Sequence, residues 1–149
     1  MDELMKRVVD GFGALISLAG GSVDPVDPAF PARFDQYEFA FEHGYLTVSA
    51  AADDDTVRLT TGRMTLPYAV QLTDSAPWSA AVGSGVMWIW TLQNQNGYQD
   101  GVQVQFGWSS GNVTAQLMCM ASGVITSRVL ELDGQLLTHH NGAGNRPAH

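Results

Sequence analysis

A run of alternating polar and apolar residues, interrupted by an asparagine–glycine pair, constrains the fold most strongly. Residues 86–92 read Val-Met-Trp-Ile-Trp-Thr-Leu, Asn96 and Gly97 follow, and a second alternating run occupies residues 98–107. Alternation puts every second side chain on one face of a strand, and Asn-Gly is a strong hairpin signal because both residues tolerate a positive φ. We therefore predict a β-hairpin whose two-residue turn at Asn96 and Gly97 pairs Gln95 with Tyr98. The predicted pairs are Ile89 with Val104, Met87 with Phe106, Trp90 with Gln103 and Trp88 with Gln105.

Further reversals extend this pattern on both sides of the hairpin. Each keeps the apolar residues of neighbouring strands on one face, as a half-buried sheet requires. A turn at His43 and Gly44 pairs Phe41 with Leu46 and Phe39 with Val48. A turn at Ser110 and Gly111 sets Val104 opposite Leu117 and Val102 opposite Cys119, and a three-residue loop at 121–123 puts Ile125 and Val129 on the core face.

The remaining segments complete a mainly β (α+β) domain. A short N-terminal helix is predicted over residues 2–10 with Asp2 as its N-cap, and a short strand over 14–19 ends at Gly20 and Gly21. A helical turn at 77–82 is predicted to begin at Ser75. The chain of 149 residues has the size of one domain. We expect an antiparallel meander of about seven strands, curled or forming a partial barrel, over residues 1–137, with a disordered C-terminal tail at 138–149.

The charge balance limits the possible partners. The net charge is −8, and the seven lysines and arginines are scattered except for the adjacent Lys6 and Arg7. Such a chain repels a phosphate backbone, so nucleic-acid binding is not expected and a basic protein partner is favoured. A single cysteine, Cys119, excludes an intrachain disulfide. No signal peptide or membrane-length apolar run is recognisable, so we expect a cytoplasmic protein that does not bind membranes.

Catalytic and metal-binding patterns are weak in this sequence. It lacks a nucleophile elbow, a phosphate-binding glycine loop and a zinc-binding H-E-x-x-H motif. The run Asp53, Asp54 and Asp55 lacks the spacing of a calcium loop and is typical of a solvated turn. The adjacent His139 and His140 have no further ligand at a suitable spacing. We therefore predict no catalytic residue, no metal site and no cofactor.

A binding surface is predicted on the polar face of the central hairpin. Trp88 and Trp90 lie there among uncharged amides, and aromatic anchors of this kind dominate binding energies at interfaces. The predicted binding residues are Trp88, Trp90, Tyr98, Asp100, Gln103 and Gln105. The alternative is that the N-terminal helix or the 75–82 segment covers the tryptophans, or that the sheet curls into a barrel.

The spacing of residues along the hairpin also resembles a pattern found in other proteins. Trp90, Asn94, Gly97, Tyr98, Asp100, Gln103 and Phe106 follow the spacing W-x-x-x-N-x-x-G-Y-x-D-x-x-Q-x-x-F. This segment is similar to one in small uncharacterised bacterial β-rich proteins. In size and acidity the chain also resembles immunity proteins, which neutralise bacterial toxins by binding them. That resemblance implies a protein partner and transfers no catalytic residue.

Three functional hypotheses follow. The first is a non-enzymatic protein-binding domain, an immunity-type inhibitor of a basic partner, present as a monomer or homodimer. The second is a carrier of a small apolar ligand. Its cavity would be lined by Phe39, Phe41, Trp88 and Met118. The third is an enzyme with a site near Tyr98, Asp100 and His43.

Overall fold

The structure is a computed structural model that describes residues 2–29, 33–51, 53, 55–108, 111–120 and 123–132. Within these ranges the chain forms two helices and nine strands. Their bounds in chain order are α1 Glu3–Gly11, β1 Leu15–Ser22, β2 Gln36–Phe41, β3 Gly44–Ala51, β4 Thr56–Thr60, β5 Tyr68–Gln71, α2 Trp78–Ala81, β6 Val86–Gln93, β7 Gln99–Trp108, β8 Gly111–Met120 and β9 Gly123–Leu132. The predicted tail at 138–149 lies outside the described residues.

The strands form two antiparallel sheets. The first has the order β4-β3-β2-β1-β5, and the second is a simple meander, β6-β7-β8-β9. The prediction of a mainly β, antiparallel domain with a short N-terminal helix is confirmed. The described strands number nine, and they form two packed layers without a closed barrel. Separate layers leave each sheet with an outer face, and those two faces differ.

Helix α1 begins where the sequence predicts it. The carboxylate of Asp2 accepts a hydrogen bond from the backbone N–H of Met5 at 2.9 Å and so caps the helix. Met5 and Val8 are the buried side chains of the helix, and α1 packs against the start of β6. The other helix, α2, has Pro77 as its N-cap instead of the predicted Ser75, and no side chain caps it.

Strand β1 is longer than predicted because its two glycines continue the strand. Gly20 pairs with Tyr37 on one side and Val70 on the other. The ring of Phe34 lies directly on Gly20, where a Cβ atom would meet the ring at 2.5 Å. The missing side chain therefore makes room for a buried aromatic ring, and the glycine does not mark a turn.

One continuous core lies between the sheets. Phe39 of β2 stacks on Phe106 of β7, and the buried Trp78 of α2 packs edge-on against Phe39 at 5.5 Å. Val102 and Val104 of β7 are fully buried in the same core. Alternate residues of the central hairpin thus supply one wall of the core, as the alternating pattern predicts.

Two predicted turns are displaced, although the core faces are kept. The β2–β3 turn occupies Glu42 and His43, so Phe39 lies opposite Leu46 and not opposite Val48. The backbone N–H of His43 donates to the carbonyl of Phe12 at 3.0 Å, and the Phe12 ring covers Gly44. These contacts with the distant Phe12 place the turn at Glu42 and His43. In β7–β8, Val104 lies opposite Ala115 and Val102 opposite Leu117. Each slip moves the register by two residues, which preserves the inward face.

The β8–β9 connection is one residue shorter than predicted, and this changes the face. Met120 pairs with Gly123, so the buried residue is Val124 and not Ile125. A slip of one residue exchanges the two faces of a strand. An irregularity between Gln116 and Leu117 then brings Val129 opposite Ala115.

Candidate binding surface

The outer face of the first sheet is covered by its own chain. The segment that leaves β4 crosses it: the hydroxyl of Thr47 donates to the carbonyl of Gly62 at 2.6 Å. The carboxylate of Glu38 accepts from the backbone N–H of Met64 at 2.6 Å, and the guanidinium of Arg63 lies 4.8 Å from the centre of the Tyr45 ring. Glu38 is therefore engaged in local structure, and the surface around it is occupied.

The outer face of the second sheet carries two exposed tryptophans instead. Trp88 is 49% exposed and Trp90 is 40% exposed. Their rings stack on each other, with centroids 6.1 Å apart and planes inclined by 23°. Neither helix covers them, so the alternative of a covered tryptophan pair is wrong. A stacked pair held on a strand is already ordered, which lowers the entropy cost of binding through it.

Uncharged amides surround the tryptophan pair. Gln105 lies directly opposite Trp88 and Gln103 opposite Trp90, as predicted. On the neighbouring strand β8, Gln116 lies opposite Gln103, and the buried Thr114 lies opposite Gln105. We call the outer surface formed by Trp88, Trp90, Gln103 and Gln105 the tryptophan face. Aromatic rings beside amides that can donate and accept hydrogen bonds have the composition of a protein interface core.

Met87 adds an apolar side chain to this surface, although the sequence predicts that it pairs with Phe106. Phe106 pairs with Val86 instead, and the register shifts between Val86 and Trp88. Met87 occupies this irregularity and is 42% exposed. The signal that explains the shift lies just upstream, where Gly85 forms a bridge with Ala14 and so fixes the start of β6. A bulge redirects a side chain in this way.

Tyr98 and Asp100 lie at the end of the hairpin and not within the tryptophan face. Tyr98 is 54% exposed, and Asp100 is half-buried where the register shifts between Leu92 and Gln93. Asp100 is three residues, roughly 10 Å, from Gln103 along the strand. The structure therefore brings together four of the six predicted binding residues and places the other two at the edge of that surface.

The turn itself is organised by Asn94. Its side-chain oxygen accepts hydrogen bonds from the backbone N–H groups of Asn96 at 2.9 Å and of Tyr98 at 3.2 Å. Gly97 has a φ of 82° and donates its N–H to the carbonyl of Asn94. The predicted two-residue turn that pairs Gln95 with Tyr98 is wrong, because the asparagine side chain closes a longer loop. Asn94 and Gly97 of the recognised spacing thus have structural roles.

A groove of about 370 Å³ adjoins the tryptophan face. It lies between α1 and the start of β6, and Val9, Val86 and Met87 supply its apolar wall while Asp10 supplies a carboxylate. Asp10 also forms an exposed ion pair with Lys6 at 2.5 Å, and this pairing raises the pKa of the Lys6 ammonium group. The groove suits a side chain with an apolar stem and a cationic end.

His43 lies at the other end of the molecule from Tyr98 and Asp100. It lines an open cleft of about 460 Å³ beside α1. The side-chain amide of Gln99 donates to the carbonyl of Val57 at 3.2 Å, and Val57 pairs with Ala50 at the far end of β3. Six strand residues separate Ala50 from Gly44, a length of roughly 20 Å. The three residues of the enzyme hypothesis therefore do not converge.

The residues of the carrier hypothesis are also separated. Phe39 and Phe41 are buried between the sheets, whereas Trp88 faces outward. A different apolar cavity, of about 200 Å³, lies beside α2 and is lined in part by Phe34, Tyr37 and Trp78. Burial raises the pKa of the Tyr37 phenol, and hydrogen bonding with Thr126 opposes this effect.

The described residues contain no group of three histidine, cysteine, aspartate or glutamate side chains placed to hold a metal ion. Asp53 and Asp55, at the β3–β4 turn, are exposed, and Asp55 has a positive φ of 52°. Asp54, His139 and His140 lie outside the described residues. In the same described ranges, neither helix is long and apolar enough to span a membrane.

A protein-family model matches residues 17–132, from within β1 to the last residue of β9. The chain belongs to DUF6334, a family of unknown function. The range matched to DUF6334 contains the whole tryptophan face and leaves out α1. No curated protein and no solved structure matches the chain.

Proposed function

We propose that this member of DUF6334 is a non-enzymatic binding domain that recognises a basic protein through the tryptophan face. The observation that carries the proposal is the exposure of the stacked Trp88 and Trp90 on a sheet face, while the equivalent face of the first sheet is crossed by residues 62–64. Exposed aromatic pairs of this kind supply most of the binding energy in many interfaces.

The charge of the molecule supports the choice of a basic partner. The net charge of −8 attracts a positively charged protein over several ångströms and accelerates encounter. The tryptophan face itself is uncharged, so it can be desolvated without burying an unpaired charge. In this arrangement the net negative charge of the chain guides the partner, and the two tryptophans supply the contact that holds it. The groove beside Asp10 and Met87 then accommodates a lysine or arginine side chain at the rim.

We further propose what the binding does to the partner and in which compartment it takes place. In this proposal the domain inhibits its basic partner by covering the partner's functional surface, as immunity proteins inhibit toxins. We place this interaction in the cytoplasm, in keeping with a chain whose single cysteine, Cys119, can form no internal disulfide.

The experiment is affinity capture from extracts of the cells that make the protein, with three baits. These are the wild type, a Trp88→Ser, Trp90→Thr variant, and a Tyr68→Ser, Val70→Thr control. The control is matched because Tyr68 and Val70 are 46% and 41% exposed and also stand two residues apart on a strand. A basic protein captured in stoichiometric amounts by the wild type and control, and lost by the tryptophan variant, supports the proposal. Equal capture by all three baits, or no stoichiometric partner for the wild type, contradicts it.

A further inference from the structure

The outer edge of β6 differs from the other three sheet edges of the molecule. Strand β6 has eight residues and contains no charged residue, proline or glycine. Native proteins usually protect edge strands with charges, prolines or short length, because an open edge pairs with other chains. The described edge of β4 carries Arg58, β5 has four residues, and the outer edge of β9 is bridged at Val124 by two backbone hydrogen bonds with Phe34. Among the described strands, only β6 combines length with a stretch that lacks these protections.

The open part of this edge can be located from the backbone hydrogen bonds. Residues 83–85 are paired with the start of β1: Gly83 donates to the carbonyl of Leu15, and Leu15 donates to the carbonyl of Ser84. From Met87 to Gln93 the strand runs beside β7 on one side, and every residue of this stretch except Met87 is paired with it. Within the described part of the chain, no backbone hydrogen bond reaches the other side of this stretch.

We propose that the protein forms a symmetric homodimer in which the open edge of β6 pairs antiparallel with β6 of a second copy. Two four-stranded sheets then become one continuous sheet of eight strands. In a two-fold interface the same patch must complement itself, so the axis falls at the midpoint of the open stretch, at Trp90. The tryptophan face stays on the outside of the joined sheet, and the proposal does not depend on the function of that face.

The register places similar side chains against each other across the seam. Trp90 faces Trp90 of the second copy, and Trp88 faces Leu92 of the second copy, all on the outer face. Aromatic and apolar cross-strand pairs stabilise an antiparallel ladder. The occupant is a second copy for two reasons: the two halves of the open stretch offer each other apolar side chains, Trp88 and Leu92, and the stretch carries none of the −8 charge that would repel an identical chain.

The buried area of the proposed β6–β6 interface determines how tightly the two copies are expected to bind each other. Seven strand residues with two half-exposed tryptophans bury less than the roughly 1,200 Å² of a standard stable interface. The dimer is therefore reversible. The test must cover protein concentrations from about 1 µM to about 1 mM, the range of weak complexes.

The experiment is sedimentation velocity over that concentration range with charge variants at Met87 and Gln93. The proposed register brings Met87 of one copy beside Gln93 of the other, and both side chains are exposed in the single chain. A Met87→Lys, Gln93→Lys variant places like charges together twice, whereas Met87→Glu, Gln93→Lys places opposite charges together twice. A Val70→Lys variant on β5 is the control for the edge of the other sheet.

The wild type is expected to rise from the mass of one 16.0 kDa chain towards twice that mass. The variant with two lysines stays monomeric at every concentration, while the glutamate–lysine variant and the β5 control still dimerise. Circular dichroism of each variant verifies that the fold is retained. A wild type that stays monomeric up to the highest concentration overturns the proposal, as does equal behaviour of the two charge variants or loss of the dimer in the β5 control.

Discussion

Phe39 on β2 and Phe106 on β7 stack across the space between the two sheets, with ring centroids 6.0 Å apart and planes inclined by 26°. Both side chains are fully buried. The contact joins strands from different sheets, so it holds the two layers together and thereby fixes which face of β7 points outward. The position of the tryptophan face depends on this contact between Phe39 and Phe106.

Replacement of Phe39 by alanine is expected to destabilise the fold by about 3–5 kcal/mol, because a large buried ring is lost and a cavity remains. The total stability of a domain is about 5–15 kcal/mol, so the variant will unfold at a much lower urea concentration. Tyr98→Ala is the control, with 54% exposure and an expected change within about 0.5 kcal/mol. A cost below about 1 kcal/mol for Phe39→Ala, measured by urea denaturation, would show that the two sheets are not held together at this contact.

Two glycines make a matched pair for testing the packing of β1. In Gly20→Ala the new methyl group meets the buried Phe34 ring at 2.5 Å, and we expect a loss of about 1–3 kcal/mol from overpacking. Gly62→Ala adds a methyl group with no neighbour within 4 Å and no positive φ, so it should be neutral or stabilise by up to about 1 kcal/mol. Thermal unfolding of both variants tests this, and equal melting temperatures would contradict the placement of Phe34.

Ionisation of the buried Tyr37 phenol is expected to lower the stability of the fold in alkaline solution. Burial raises the pKa of its phenol above the ordinary value, so the folded state holds this proton more tightly than the unfolded chain does. The contribution is fully present below about pH 10, the ordinary value for tyrosine, and is lost as the pH rises through the higher pKa of the folded state. Tyr37→Phe should therefore lose less unfolding free energy between neutral and alkaline pH than the wild type.

The control for this pH dependence is Tyr98→Phe, because Tyr98 is exposed. Denaturation curves at several pH values are the measurement, and the slope of the unfolding free energy against pH is compared among the three proteins. If Tyr37→Phe has the same alkaline slope as the wild type, the phenol is not protected by burial.

The local sequence was sufficient to predict the faces of the central hairpin. Alternating polarity around Asn96 and Gly97 correctly paired Trp88 with Gln105 and Ile89 with Val104. Alternation depends only on the geometry of a strand, so a slip of two residues leaves the same side chains on the inward face. For the same reason, the displaced turn after Phe41 changed the partners of Phe39 without moving it out of the core.

The errors arose where distant segments decide the local geometry. The predicted pairing of Met87 with Phe106 is wrong because the bridge between Gly85 and Ala14, which precedes the bulge, joins residues far apart in sequence. Likewise, the exposure of Trp88 and Trp90 depends on which segments cross each sheet. Residues 62–64 cover the first sheet through contacts with Glu38 and Thr47, and the alternation within β6 does not show that Trp88 and Trp90 stay exposed among the described residues.

The most direct test of the proposed function is a calorimetric titration of the captured partner into the purified domain. Loss of two aromatic anchors at about 2 kcal/mol or more each predicts that the Trp88→Ser, Trp90→Thr variant binds at least about 700-fold more weakly, at about 1.4 kcal/mol per tenfold. The Tyr68→Ser, Val70→Thr control should bind like the wild type. If the tryptophan variant binds as tightly as the wild type, the partner does not bind through the tryptophan face.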